Sequence, residues 1–465
     1  MRFDDVLTIL GDVPEYQAFL TVEELQASTQ RLAKEFPDTI ELLPIGRSGA
    51  GSPIEAIKIG GGPARALLFA MPHPNEPIGS MMLEYWSLRL AMDEALRQSL
   101  GYTWYLVKCI DPDGARLNEG WFKGPFSVEN YARHYYRPPA HHQVAWTFPI
   151  DYKTLHFNAP PPETQALMGL IEQARPDFMY SLHNSDFSGV YFYIWEEAPP
   201  LYSLFHRLVE SQGLPLHAGE PERPYEVEFA TAIYKDNSIS AEYDYLEKRT
   251  GMHPAEIITG GTLSFEYARK FCDPFTLICE APYFYHPAIS DTSASDMSRR
   301  EVRLQAIEGT RKDVKHLKGL YDAVKSELTI PSPFRDAIVE ILKRSRAKLA
   351  AEENWLRVDP KVDKKATVAE KFDSLVLGRI ELLLHLGMFM RLLDAQVAAT
   401  GNSPSMSSAG EEAREIFERR VADLEAELDY TVVPIQKLVR VQLGSALLAA
   451  DHAARRHQAE RREAG

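Results

Sequence analysis

The sequence predicts an α/β fold: a twisted, mostly parallel or mixed sheet flanked by helices, followed by an all-α C-terminal domain. Three observations predict it. From Leu20 to about Glu280, short apolar runs rich in β-branched and aromatic residues alternate with longer amphipathic segments, the pattern of strands and helices around a buried sheet. Past about Asp291 strand signals nearly vanish and long helical stretches take over. At 465 residues, 45% hydrophobic and 25% charged, the chain has the composition of a globular protein able to bury a large core. The expected division is a first domain at residues 1–295 and a helical domain at 296–465.

In chain order, the first expected helix is Thr21–Glu35, with Thr21 as N-cap and Glu24 three residues on to complete a capping box. Strand Ala66–Met71 leads into helix Ile78–Ser99, and strand Trp104–Ile110 follows. Helix Pro162–Ala174, strands Phe178–Leu182 and Val190–Trp195, helix Leu201–Gln212 and strand Phe275–Cys279 complete the alternating part. Beyond it, helical stretches are expected at Arg300–Ser326, Pro333–Ala351, Val368–Ala399 and Gly410–Ala454, with Pro- and Gly-containing breaks between them. The most apolar stretch, Val376–Gln396, carries Arg379, Glu381, His385, Arg391 and Asp394, too many charges for a simple membrane span. It reads as the core helix of a bundle or a dimer-forming helix, so a homo-oligomer built on the C-terminal helices is one expectation.

The net charge of −15 would repel a phosphate backbone, which excludes nucleic acid as a general partner. Cys109, Cys272 and Cys279 are too few and too scattered for a disulfide framework, and reduced buried thiols are expected. The first residues, MRFDDVLTIL, carry aspartates where a secretory signal needs a basic start, and no run of about 18 apolar residues occurs. A cytoplasmic protein without a membrane partner is the resulting expectation.

Chemistry concentrates at two strand ends. HPNEP places His73 and Glu76 after the Ala66–Met71 run, at the carboxyl end of a strand, where open α/β sheets gather ligands. The proline opens the next helix, so the carboxylate projects from a fixed turn. Alone, an H-x-x-E pair is weak. SLHN, ending a second apolar strand, adds His183, and two imidazoles with one carboxylate form the donor set of a catalytic zinc that keeps one place for water.

These motifs, in this order, resemble the M14 zinc carboxypeptidases. Glu15–Gly60 resembles the family's opening helix, its IGxSxxGxPI turn and hairpin; HPNEP its H-x-x-E; IDPDGARLN (Ile110–Asn118) its N-P-D-G turn; SLHN its third ligand; and FTLICEAPYF (Phe275–Phe284) the strand bearing its general base. The resemblance implies that His73, Glu76 and His183 hold one zinc ion and that Glu280 is the base, taking a proton from the attacking water and passing it to the leaving amine. The rival carboxylate Glu266 sits on a turn-like segment, His141 and His142 on a Pro-rich loop, and Asp113 in a turn where it is expected to hold backbone.

One departure matters. The family's Asn-Arg pair, which grips the terminal carboxylate of a peptide, is replaced by VAWTFPIDY (Val144–Tyr152). Arg116, Arg133 or Arg137 could take over, Arg116 first because it follows the turn and has Asn118 nearby; otherwise the substrate has no terminal α-carboxylate there. The comparison also puts Leu263 at the floor of a side-chain pocket, favouring apolar or aromatic side chains, and offers Tyr267 or Tyr283 for the family's missing tyrosine. The implied reaction is amide hydrolysis, most simply removal of a C-terminal residue from a peptide. An amidase or deacylase acting on a modified amino acid or small conjugate, and a non-catalytic scaffold, are the alternatives.

Overall fold

The computed structural model describes residues 1–463 except 224, 237 and 250–252. A ten-stranded mixed sheet forms its centre. In chain order the strands are β1 (Ile40–Arg47), β2 (Pro53–Ile59), β3 (Ala64–Ala70), β4 (Tyr102–Val107), β5 (Phe178–Phe187), β6 (Tyr191–Ile194), β7 (Glu228–Ala230), β8 (Ile233–Lys235), β9 (Phe275–Tyr285) and β10 (Thr431–Val432). Their spatial order is β1-β2-β4-β3-β5-β9-β6-β8-β7, with β10 added beside β9. The central run β4-β3-β5-β9 is parallel, and β1 with β2 form an antiparallel hairpin at the edge.

The helices used below are α1 (Phe3–Gly11), α2 (Val22–Glu35), α3 (Ile78–Met92), α4 (Pro162–Ala174), α5 (Pro199–Ser211), α6 (Arg299–Val324), α7 (Pro333–Val358), α8 (Gly378–Thr400), α9 (Pro404–Glu427) and α10 (Ile435–Glu463). Thr21 and Glu24 form the expected reciprocal cap of α2. The expected helix Ile78–Ser99 is divided, because Asp93 leaves helical geometry and caps a second short helix by accepting from the Leu96 N–H at 2.9 Å.

Alternation along β3 shows how the sheet is covered. Ala66, Leu68 and Ala70 join a core shared with α3, α5 and α10, while Leu67 and Phe69 join one built with α4. A parallel sheet so covered buries both faces, which is why its strands read as nearly continuous apolar runs.

The C-terminal region completes this architecture. The larger core cluster runs from Val6 on α1 to Ala453 on α10, so the change of texture near residue 295 divides the sequence pattern while one core continues across it. The expected continuous helix Gly410–Ala454 is broken into α9 and α10 at Leu428–Pro434, where β10 pairs with Phe284 and Tyr285 and Pro434 has no N–H to carry a helix through. Gly444 lets α10 approach α5: a Cβ there would lie 2.5 Å from Leu208 Cδ1.

The apolar helix α8 is covered by its own chain. It packs on α6, α7, α9 and the helix Val128–His134, and a Cβ on Gly387 would lie 1.9 Å from the Ala132 carbonyl oxygen. Among the described residues no helix is long and apolar enough to cross a membrane.

Arg391 on α8 donates to the carbonyls of Leu117 at 2.6 Å, His134 at 2.8 Å and Tyr135 at 3.2 Å, and lies over the Phe334 ring. Arg391→Met keeps the apolar stem and strands three carbonyls. It is expected to destabilise the protein by about 3 kcal/mol, read from a lowered urea midpoint.

Candidate metal centre

β3 and β5 are neighbours in the sheet, and the cluster is divided between the turn that follows β3 and a residue within β5. His73 and Glu76 occupy the turn after β3, closed by the Glu76 N–H donating to the His73 carbonyl at 3.1 Å; His183 lies within β5, one residue past the last β3–β5 rung, Ala70–Leu182. All three are buried, and one potential ligand atom from each lies within 4.8 Å of the others.

The turn is held from several sides. The Asn75 amide donates to the Tyr131 hydroxyl at 2.9 Å, and the Asn75 carbonyl accepts from the Tyr283 hydroxyl at 2.9 Å. Asn184 accepts from the Ile78 N–H at 3.2 Å, which ties the start of α3 to the residue following His183.

Glu76 divides its two oxygens. Oε1 receives the Arg137 guanidinium, whose Nε also reaches Asn75 Oδ1 at 3.1 Å. Oε2 faces His183 Nδ1 at 3.0 Å and accepts from the Asn184 N–H at 3.2 Å. The other ring nitrogen, His183 Nε2, lies 2.8 Å from Ser181 Oγ. If Nε2 carries the proton and donates it to Ser181, the Nδ1 lone pair faces a carboxylate oxygen, an arrangement that calls for a cation between them.

His73 points the same way. Burial, with the Arg137 charge and His183 beside it, pushes its pKa well below the usual histidine value, so the ring is neutral; its buried Nδ1 has no hydrogen-bond partner. The two imidazole rings meet edge to face with centroids 4.8 Å apart. Neutral imidazoles and a carboxylate are the donors zinc takes, and a four-coordinate ion with bonds near 2 Å sets its donors roughly 3.3 Å apart. The residues present therefore fit the metal.

Glu280 stands on β9 directly beside His183, the two being register partners in the parallel β5–β9 ladder. Burial, then the nearby Glu76 and Glu222 carboxylates, pushes its carboxyl well above the ordinary carboxylate range. The strand does not stop at Cys279 as the sequence suggests; it continues to Tyr285 because Phe284 still pairs with Phe187, so the carboxylate is fixed by a ladder on both sides.

The other sequence candidates are placed less uniformly. Arg137 reaches the cluster through Glu76. Arg116 does not: its guanidinium is taken by Glu23 at 2.8 Å and Ser52 at 2.7 Å, with Asp113 at 3.5 Å. Arg133 pairs with Glu129. Asn118 is fully buried and engaged with backbone, donating to the Gly114 and Tyr136 carbonyls and accepting from the Tyr136 N–H, so it clips the chain just before Arg137. Tyr267 packs on Phe148 in the α4-side core and gives its hydroxyl to Glu172. Leu263 is buried immediately before the short helix Ser264–Ala268.

Asp113 holds backbone, accepting from the Ala50 N–H at 2.7 Å, and Glu266 accepts from Thr262 and from the Ile239 N–H. His141 pairs with Glu340 at 2.9 Å, while Glu340 also accepts from the Ala140 N–H.

Sequence reasoning missed Asn75 and Asn184, although both lie inside the two motifs. It also missed Tyr131, Asp186 and Glu222. Tyr131 donates to Asp186, and Glu222 accepts from the Tyr191 hydroxyl at 2.6 Å; no local pattern marks any of the three.

A family model described as zinc carboxypeptidase matches residues 25–272, more than half of the chain. Among curated proteins, zinc carboxypeptidase A 1 of Anopheles gambiae is 29% identical over 126 residues, 24% of this chain and 29% of that protein, so the match spans less than a third of that relative. Among solved structures, carboxypeptidase A from Helicoverpa armigera is similar at 14% identity and a TM-score of 0.39, covering 62% of this chain and 72% of that one. A metallo-carboxypeptidase from Burkholderia cenocepacia is similar at 17% identity and a TM-score of 0.34, covering 57% and 60%. Because the matched residues contain HPNEP, the PDG turn and SLHN together, the chain belongs to the zinc carboxypeptidase family, peptidase M14.

Proposed function

We propose that the protein is a zinc-dependent hydrolase that cleaves an amide bond, removing a C-terminal residue from a peptide, with His73, Glu76 and His183 as ligands of one ion and Glu280 as general base. The observation that carries the reading is the convergence of three buried donors, two from the turn after β3 and one from β5, with a buried carboxylate in register beside one of them. Zinc bound there supplies Lewis acidity, polarising a scissile carbonyl and lowering the pKa of water towards about 7.

The chain's own residues do the rest. Glu280 accepts the proton of the attacking water and returns that proton to the departing amine nitrogen. Ser181 keeps the His183 ring turned towards the cluster. Arg137, tied to Asn75 and Glu76, places a fixed positive charge where an anionic group of the substrate or a developing oxyanion would sit.

The segment in place of the Asn-Arg clamp keeps a second reading open, an amidase or deacylase acting on a modified amino acid or small conjugate. Val144 and Ala145 turn into the core; Arg223 lies 5.1 Å over the Trp146 ring and pairs with Glu226 at 3.7 Å, Lys270 donates to the Pro149 carbonyl at 3.3 Å, and Lys153 lies 5.5 Å over the Tyr152 ring. All three cysteines are free, which fits the cytoplasm as the place of action.

The test is incubation of the purified protein with a mixed pool of peptides and acyl-amino acids, with and without a chelator, and identification of products by mass. Peptides shortened by one C-terminal residue, in a reaction abolished by the chelator and restored by zinc, are expected. Products formed equally in the presence of chelator would overturn the metal-dependent reading, and equal cleavage of free-acid and C-terminally amidated peptides would replace the carboxypeptidase by the amidase.

A further inference from the structure

Among the described residues, the buried face of α10 is apolar with two exceptions. Gln442 and Ser445 are fully buried amid Leu438, Val439, Val441 and Leu443. Gln442 Nε2 donates to the His183 backbone carbonyl at 2.7 Å, whereas its Oε1 is buried without a hydrogen-bond partner. A half-satisfied amide inside an apolar interface is unfavourable compared with a leucine or methionine of similar size. The one bond it makes lands on a proposed metal ligand, at the point where β5 has passed its last rung with β3.

We propose that Gln442 is a positioning residue of the metal centre. By holding the His183 carbonyl from the far side of the sheet, the C-terminal helix fixes the backbone of β5 at its ligand, which keeps Nδ1 aimed at Glu76 and His73. With Ser181 on Nε2, the ligand is then fixed both at its ring and at its main chain. The inference rests on the reading that His73, Glu76 and His183 hold zinc.

The test is zinc affinity of the metal-stripped full chain, measured by competition with a chromophoric chelator for wild type, Gln442→Met and Gln442→Asn. The methionine variant fills the same space without a donor; the asparagine keeps an amide one methylene too short. Losses of about 10–100-fold are expected for Gln442→Met, with a smaller loss for Gln442→Asn. The rise in melting temperature on adding zinc should shrink in both variants, a change that a purely structural role would not produce.

If both variants fold, as judged by near-UV circular dichroism, and bind zinc as wild type does, the proposal falls. It falls equally if neither folds, since Gln442 would then serve the fold. If wild type itself binds no zinc stoichiometrically, the metal-centre reading is what fails, and that outcome is distinct.

Discussion

Glu280→Gln is expected to retain zinc and to lose turnover by a factor of roughly 10³ or more, about 4 kcal/mol of transition-state stabilisation. The substitution preserves size and leaves the β5–β9 ladder intact, since Glu280 is placed by main-chain pairing with His183 and Tyr191. Removed is the ability to accept a proton from water and return it to an amine. In the metal-stripped protein the amide also removes the buried charge that Glu76 and Glu222 crowd, so the stripped variant should be no less stable than stripped wild type, and more stable at neutral pH. The sign follows from the raised native pKa: the native carboxyl holds its proton at pH values where the unfolded one has lost it, so this group's penalty grows as pH rises from the unfolded value towards the native one, and glutamine escapes it. Metal content and kcat on the same preparation check the prediction. Turnover equal to wild type would remove Glu280 from the mechanism.

Ending the chain before Ile435 is expected to abolish folding rather than release a trimmed active domain. Ile435, Leu438, Val439, Val441, Leu443, Leu447 and Leu448 on α10 are all buried in the cluster that also holds the sheet. At about 1.5–3 kcal/mol each, their loss amounts to roughly 10 kcal/mol or more, comparable to the whole stability of a typical protein. Insoluble expression, or a soluble product without cooperative unfolding, is the expected result. A truncated protein with a sharp melting transition would show that the sheet closes its core without α10.

The central strands and α2 were legible because their signals are local: a capping box, apolar runs, and flanking Pro and Gly. His73, Glu76, His183 and Glu280 could be picked out as candidates because each lies in a short motif that follows an apolar run. The supporting residues could not, since Tyr131, Asp186, Gln442 and Arg391 contribute through contacts across 50 to several hundred residues and leave no periodic trace. Arg116 and Asn118 illustrate the converse. Both follow the PDG turn closely, but adjacency in sequence placed them on Glu23 and on backbone rather than at the cluster.

The change in texture near residue 295 marks where strands give way to helices, while the larger core cluster continues across it. α6 to α9 form a bundle of their own pattern, while α10 returns to the sheet, and amphipathic spacing alone does not say which surface a helix will cover.

The rung shared by Glu280 and His183 has an evolutionary corollary. Main-chain hydrogen bonds set the spacing between an acid and an imidazole on adjoining strands, and sliding either strand by one residue would send one of them to the opposite side. On the proposed reading, the spacing of acid and imidazole is inherited with the ladder, whereas what they act on can diversify in the surrounding loops, such as those bearing Trp146 and Arg223, without retuning the chemistry.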